Sequence, residues 1–160
     1  IALNPEVLDY YKFSFVRQPY DLLLSMFYYI KMPSSLHPDY KNIGTLDFYQ
    51  FLQWIEDVGM KKRKSDDLPV YKTQSQHLFV NDNCIMDYIY KYEELCDDVD
   101  MSNIRSIIAK FDLQQPNKIP VLMKSDRPLS SIDSISIKEI KLINKLFAED
   151  FKNFKYFKYE

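Results

Sequence analysis

The stretch Phe13-Ser14-Phe15-Val16-Arg17-Gln18-Pro19-Tyr20-Asp21-Leu22-Leu23-Leu24-Ser25 decides how this chain is read. Phe13 to Val16 is aromatic and β-branched, which suits a buried strand. Pro19, with its fixed φ and missing N–H, fits the first turn of a helix, and Asp21 sets a carboxylate near the positive end of the helix dipole. Tyr20, Leu23, Leu24, Phe27, Tyr28 and Ile30 then recur at helical spacing. The unit is strand, sharp turn, helix. It places Arg17 at the carboxyl end of a strand, where α/β proteins bind ligands, and Ser25 about two turns into the helix that follows. The guanidinium supplies charge and a planar fork, the serine a single donor. Together they make an anion clamp that needs no glycine. Spacing alone leaves open a plainer alternative, in which Arg17 pairs with Asp21 or a nearby backbone carbonyl.

Glycine is indeed scarce. Gly44 and Gly59 are the only two in 160 residues, so neither the dinucleotide-binding fingerprint nor a P-loop can be written from them. With 46% hydrophobic and 16% aromatic residues the chain has the apolar mass for one packed domain over 1–160. A formal net charge of -2 argues against a bulk nucleic-acid binder. Cys84, Cys96, His37 and His77 show no zinc-ligand spacing, so no metal is expected, and the cysteines read as reduced, packed thiols. No window approaches the run of about 20 apolar residues that a membrane span requires. The chain begins Ile1-Ala2-Leu3 with no initiator Met and no signal peptide, which suggests missing sequence upstream.

Outward from the opening stretch, residues 1–12 read as a helical or irregular lead-in and residues 31–44, with Pro33, Pro38 and Gly44, as a loop. Thr45 is the expected cap of a second helix through Leu46, Tyr49, Leu52 and Ile55, closed by Gly59. Lys61 to Lys64 form a basic run, by composition either a solvated loop or an attractor of acidic polysaccharide. Residues 71–79 suit a short helix or an extended segment. Asn81-Asp82-Asn83 is a turn signal between Leu78-Phe79-Val80 and the alternating run Ile85 to Tyr90, which predicts a hairpin of those two runs. A helix is expected over Val99 to Phe111, then a long loop over 112–135 with three prolines and four serines. Ser136 and Glu139 fit a capping box for a last helix through Ile140, Ile143, Phe147, Phe151 and Phe154. Strands alternating with helices indicate an α/β class, helix-rich and thin in strands for a complete sheet.

The opening stretch resembles the 3′-phosphate-binding motif of sulfotransferases that use 3′-phosphoadenosine 5′-phosphosulfate (PAPS), particularly the carbohydrate sulfotransferases. There a strand ending Val-Arg-x-Pro leads to a helix with Ser eight residues after the Arg, the positions of Arg17 and Ser25. Further segments match in the same order. Tyr71-Lys72-Thr73-Gln74-Ser75-Gln76 is similar to the family's segment near the acceptor, which makes Gln74 and Ser75 substrate-binding candidates. Asp87-Tyr88-Ile89-Tyr90-Lys91-Tyr92-Glu93-Glu94-Leu95 resembles the family's Asp-Phe-Ile-Gly-Arg-Phe-Glu-Asn-Leu strand, and Phe147 to Tyr156 its closing helix. Ile119-Pro120-Val121-Leu122-Met123-Lys124-Ser125 is similar to a Leu-Pro-x-x-Asn-Lys-Ser stretch near the nucleotide, so Lys124 and Ser125 join Arg17 and Ser25 as cofactor-binding candidates. Leu22 departs from the pattern, standing where the family usually has a second Arg.

The resemblance implies a P-loop-kinase-like α/β fold, incomplete at its N-terminus, and transfer of a sulfuryl group from PAPS to a hydroxyl of a carbohydrate or polysaccharide, leaving adenosine 3′,5′-bisphosphate. It places the 5′-phosphosulfate loop and the general base before Ile1. Within the chain His77, which follows Thr73-Gln74, is the better of the two histidines for the base. A kinase is disfavoured, because no metal-binding carboxylate pair sits beside the clamp. The rival class is a degenerate, non-catalytic interaction module. Compartment follows source: cytoplasm for a bacterial enzyme, Golgi lumen for a eukaryotic one with an upstream anchor.

Overall fold

A computed structural model describes residues 9–59, 71–97, 102–112, 114, 127 and 133–160. Helices and two small sheets are mixed in it, consistent with α/β. The chain divides into two compact units, Ile1–Arg17 with Gln74–Gln115, and Gln18–Thr73 with Pro116–Glu160.

In the first unit, strand β1 (Phe13–Val16) pairs in parallel with β4 (Tyr88–Lys91), Phe13 opposite Tyr88 and Val16 opposite Lys91. The expectation of a buried β1 is corrected. Only Val16 is buried, while Phe13 and Phe15 are 40% and 39% exposed. Period-2 alternation puts both phenylalanines on the face they share with Tyr88 and Tyr90, where the rings cover one another at centroid distances of 5.4 Å for Phe15–Tyr90 and 4.4 Å for Tyr88–Tyr90.

The short helix α4 (Gln74–Leu78) realises one of the two options for the 71–79 segment. It runs into a hairpin of β2 (Phe79–Val80) and β3 (Asn83–Cys84). Asn81 and Asp82 both adopt positive φ, 49° and 62°, as a two-residue type I′ turn requires and as Asn and Asp tolerate. The partner of β2 is therefore Asn83–Cys84 and not the run from Ile85 to Tyr90. The chain changes partners just after the hairpin: Ile85 N–H still donates to Leu78 O (2.9 Å), but Asp87 N–H donates to Lys12 O (2.7 Å) and starts the pairing with β1. Helices α5 (Tyr92–Asp97) and α6 (Ser102–Lys110) complete this unit.

In the second unit Pro19 opens α1 (Pro19–Lys31), with Gln18 Oε1 accepting the Tyr20 N–H at 2.7 Å. Leu23, Phe27 and Ile30 form its buried stripe. The loop expected over 31–44 contains a 3-10 turn, Pro33–Ser35, and a short helix α2 (Tyr40–Ile43). The cap of α3 (Phe48–Trp54) is Asp47 and not Thr45. Gln50 N–H donates to Asp47 Oδ1 (2.8 Å) and Asp47 N–H to Gln50 Oε1 (2.9 Å), a reciprocal box that serves two otherwise orphaned donors. A π-type turn, Ile55–Gly59, follows.

The C-terminal helix begins as expected, with the Ser136 N–H donating to Glu139 Oε2 at 2.7 Å. It is not continuous, however. Phe147, at φ -113° and ψ 26°, separates α7 (Ile137–Leu146) from α8 (Ala148–Asn153). The apolar face survives the break, since Ile143, Phe147, Phe151 and Phe154 are all buried. Ile143 and Phe147 join Leu23, Ile30, Phe51 and Leu52 in the core, each worth about 1.5–3 kcal/mol on burial.

Candidate functional site

Arg17 is the residue after β1, and its backbone is held at two points by one side chain. Its N–H donates to Gln74 Oε1 at 2.6 Å, and its carbonyl accepts from Gln74 Nε2 at 2.8 Å. The primary amide thus mimics a strand neighbour at the end of β1. Gln74, a substrate-binding candidate by sequence, directs both ends of its amide to this backbone clamp. The Arg17 guanidinium carbon lies 4.6 Å from the centroid of the Tyr92 ring, a cation–π stack on a residue that is 37% exposed. Tyr92 begins α5, directly after β4. The parallel register explains the meeting: Val16 faces Lys91, so one step further brings residue 17 to residue 92.

The far end of the same strand pair is fixed by charge. Asp87 Oδ2 accepts the Lys12 N–H at 2.6 Å and lies 3.4 Å from Lys12 Nζ. The backbone hydrogen bond from Lys12 is the main cause that holds the Asp87 carboxyl below its ordinary value. With β1 locked at Lys12 and again at Arg17, the cation at its carboxyl end has a fixed origin.

In the second unit, α1 presents Ser25 half-buried on its flank. One turn earlier, Asp21 pairs with Arg127, whose Nη1 also donates to the Asp21 carbonyl at 3.3 Å. At the start of α1, the Tyr20 hydroxyl donates to Asn144 Oδ1 and accepts the Tyr159 N–H at 3.0 Å. Burial is the main cause that raises the Tyr20 hydroxyl above its ordinary pKa. Asn144 Nδ2 donates in turn to Tyr159 O at 2.8 Å, so the chain's last residues are tied to the first turn of α1.

The other expected residues fall out differently. Ser75 is buried at 2% exposure, within α4. His77 is exposed in the last turn of α4. His37 is used locally, its Nδ1 accepting the Asp39 N–H at 3.2 Å. Cys84 corrects the expectation of a packed thiol: it is an exposed free cysteine, because β3 is only two residues long and borders a turn. Lys124, Ser125 and the Lys61–Lys64 run lie outside the described residues. Among the described residues no group of three or more His, Cys, Asp or Glu is arranged to hold a metal ion, and no helix is long and apolar enough to cross a membrane.

Sequence reasoning missed three contributors: Gln74 as a backbone clamp, Tyr92 as the stacking surface and Arg127 as the partner of Asp21. The Tyr92 position follows from the parallel register once that pairing is known. Nothing local marked Arg127, which is 106 residues from its partner.

A family model described as "Sulfotransferase family" matches residues 3–157. No curated protein and no solved structure matches the chain.

Proposed function

Because the chain belongs to the sulfotransferase family, we propose that it takes part in transfer of a sulfuryl group from PAPS to a hydroxyl of a carbohydrate, with Arg17 and Ser25 as ligands of the nucleotide's 3′-phosphate. In such a transfer the acceptor oxygen forms a bond to sulfur, the bond from sulfur to the bridging phosphate oxygen breaks, and the acceptor's proton goes to a base. Adenosine 3′,5′-bisphosphate leaves. This chemistry is placed on a P-loop-kinase-like α/β fold, and the parallel β1–β4 pair supports that placement.

One observation carries the reading. An arginine stands at the carboxyl end of a parallel strand, with its backbone clamped by Gln74 and its guanidinium stacked on Tyr92. A cation used to bind a dianion is most effective when little ordering remains to be done on binding, and both contacts reduce that ordering. The donor set suits a phosphate: a fork that is always charged and a hydroxyl that donates once. Lys124 and Ser125 are proposed as further nucleotide ligands. Exposed His77 is the proposed base within this chain, and a base can act there only if an acceptor hydroxyl comes within hydrogen-bond reach.

The experiment is a transfer assay with PAPS labelled in the sulfuryl group and a panel of mono-, oligo- and polysaccharide acceptors. Label on an acceptor hydroxyl, reduced in Arg17→Ala, supports the reading. Transfer at equal rates by wild type and Arg17→Ala, or label on phenols and not on sugars, overturns it.

A further inference from the structure

Helix α1 carries a carboxylate, Asp21, on the face assigned to an anion. Asp21 and Ser25 are four residues apart on this helix, and side chains at that spacing sit one above the other with Cβ atoms about 5–6 Å apart. A phosphate held by the Ser25 hydroxyl would therefore lie close to a negative group that is mostly shielded from water, the Asp21 side chain being 13% exposed. At roughly 6 Å, repulsion between such charges is large enough to weaken binding about tenfold or more.

The counter-charge comes from far along the chain. Arg127 forms an ion pair with the Asp21 carboxylate, its side chain 25% exposed, and the same Nη1 reaches the Asp21 carbonyl at 3.3 Å. Leu22, next to Asp21, carries no charge. We propose that Arg127 is a positioning residue of the nucleotide site: it neutralises Asp21, so that the Ser25 flank of α1 accepts the 3′-phosphate. The assignment rests on Ser25 being a phosphate ligand. Arg127 acts through Asp21, by removing a repulsion, and its effect is tied to the charge of Asp21 more than to packing.

That link makes the inference testable by removing the two charges separately and together. Adenosine 3′,5′-bisphosphate is titrated calorimetrically into wild type, Arg127→Ala, Asp21→Asn and the double variant, with circular dichroism and thermal melts run on each. Arg127→Ala is expected to bind about tenfold more weakly. Asp21→Asn is expected to bind as tightly as wild type or a few fold tighter, and Asp21→Asn/Arg127→Ala to return to within about threefold of wild type. Adenosine 5′-monophosphate, which lacks the 3′-phosphate, should show none of these differences. If Arg127→Ala does not fold, Arg127→Gln takes its place in the same cycle, because it keeps most of the side chain's bulk while removing its charge, and the same outcomes decide. Affinity unchanged in Arg127→Ala, or a loss in Asp21→Asn as large as that in Arg127→Ala, overturns the inference while leaving the phosphate site standing. Absence of binding by wild type removes the site itself and the inference with it.

Discussion

Replacing Gln74 by Ala is the perturbation from which most can be calculated. The substitution deletes two hydrogen bonds to one residue, of 2.6 Å to the Arg17 N–H and 2.8 Å to its carbonyl, both in part-buried surroundings. A hydrogen bond contributes about 0.5–1.5 kcal/mol net, and a buried group left without a partner costs about 1–3 kcal/mol. Water can reach part of this site, so the loss should be ~2 kcal/mol. For a chain of this length that corresponds to a fall in melting temperature of about 4–8 °C. Locally, ~2 kcal/mol accelerates opening roughly 30-fold, which hydrogen exchange at the Arg17 amide reports directly. Gln74→Glu is the sharper control. It keeps an acceptor for the Arg17 N–H but turns an anionic oxygen towards the Arg17 carbonyl, so it should be no better than alanine. Both variants should also bind adenosine 3′,5′-bisphosphate more weakly, because the guanidinium is released from a fixed origin. A Gln74→Ala protein with unchanged Arg17 exchange and a melting temperature within about 1 °C of wild type would refute the clamp.

Two further outcomes follow from the second unit. Tyr71 is 1% exposed and donates to Asp39, and burial first, then this bond and the Asp39 charge, hold its hydroxyl far above the ordinary value of 10.0. Above pH 10 the unfolded phenol has lost its proton while the folded one keeps it, so stability must fall as pH rises, by up to ~1.4 kcal/mol per pH unit. Tyr71→Phe should cost about 1–3 kcal/mol at pH 7 by removing one donor from the buried Asp39 carboxylate, yet flatten the alkaline decline; urea midpoints from pH 7 to 11 measure both, and an unchanged slope would contradict it. Asp47→Ala should destabilise by about 1 kcal/mol through loss of the α3 box, read in the same urea titration, with Thr45→Ala close to neutral.

Local chemistry is legible where it is decided locally. Pro19 opens α1 and Ser136 with Glu139 opens α7, because caps and fixed φ act within one turn. Asp47-x-x-Gln50 is an equally readable box and lies only two residues beyond Thr45, the cap that composition alone favours. The Asn81-Asp82 turn stands where its residues predict, but its two-residue length fixes the register and ends β3 at Cys84, leaving Tyr88–Lys91 for another partner. That partner is β1, 75 residues earlier at the Lys12–Asp87 contact, and no local periodicity encodes it. The exposure of Phe13 and Phe15 has the same origin, since a strand's apolar composition does not say what covers it. For Arg17 and Ser25, spacing offers an anion clamp and a plain Arg17–Asp21 pair equally, and the phosphate role proposed for them comes from the family resemblance. The contacts made by Gln74, Tyr92 and Arg127 arise from pairing and packing over long separations.

The most direct measurement is a calorimetric titration of adenosine 3′,5′-bisphosphate into wild type, Arg17→Ala and Ser25→Ala. Wild type should show one saturable site. Arg17→Ala and Ser25→Ala should each weaken it roughly 10- to 150-fold, as loss of a hydrogen bond to a charged group costs about 1.5–3 kcal/mol. No saturable binding by wild type, or equal affinity in a folded Arg17→Ala protein, would contradict the assignment of Arg17 to the 3′-phosphate.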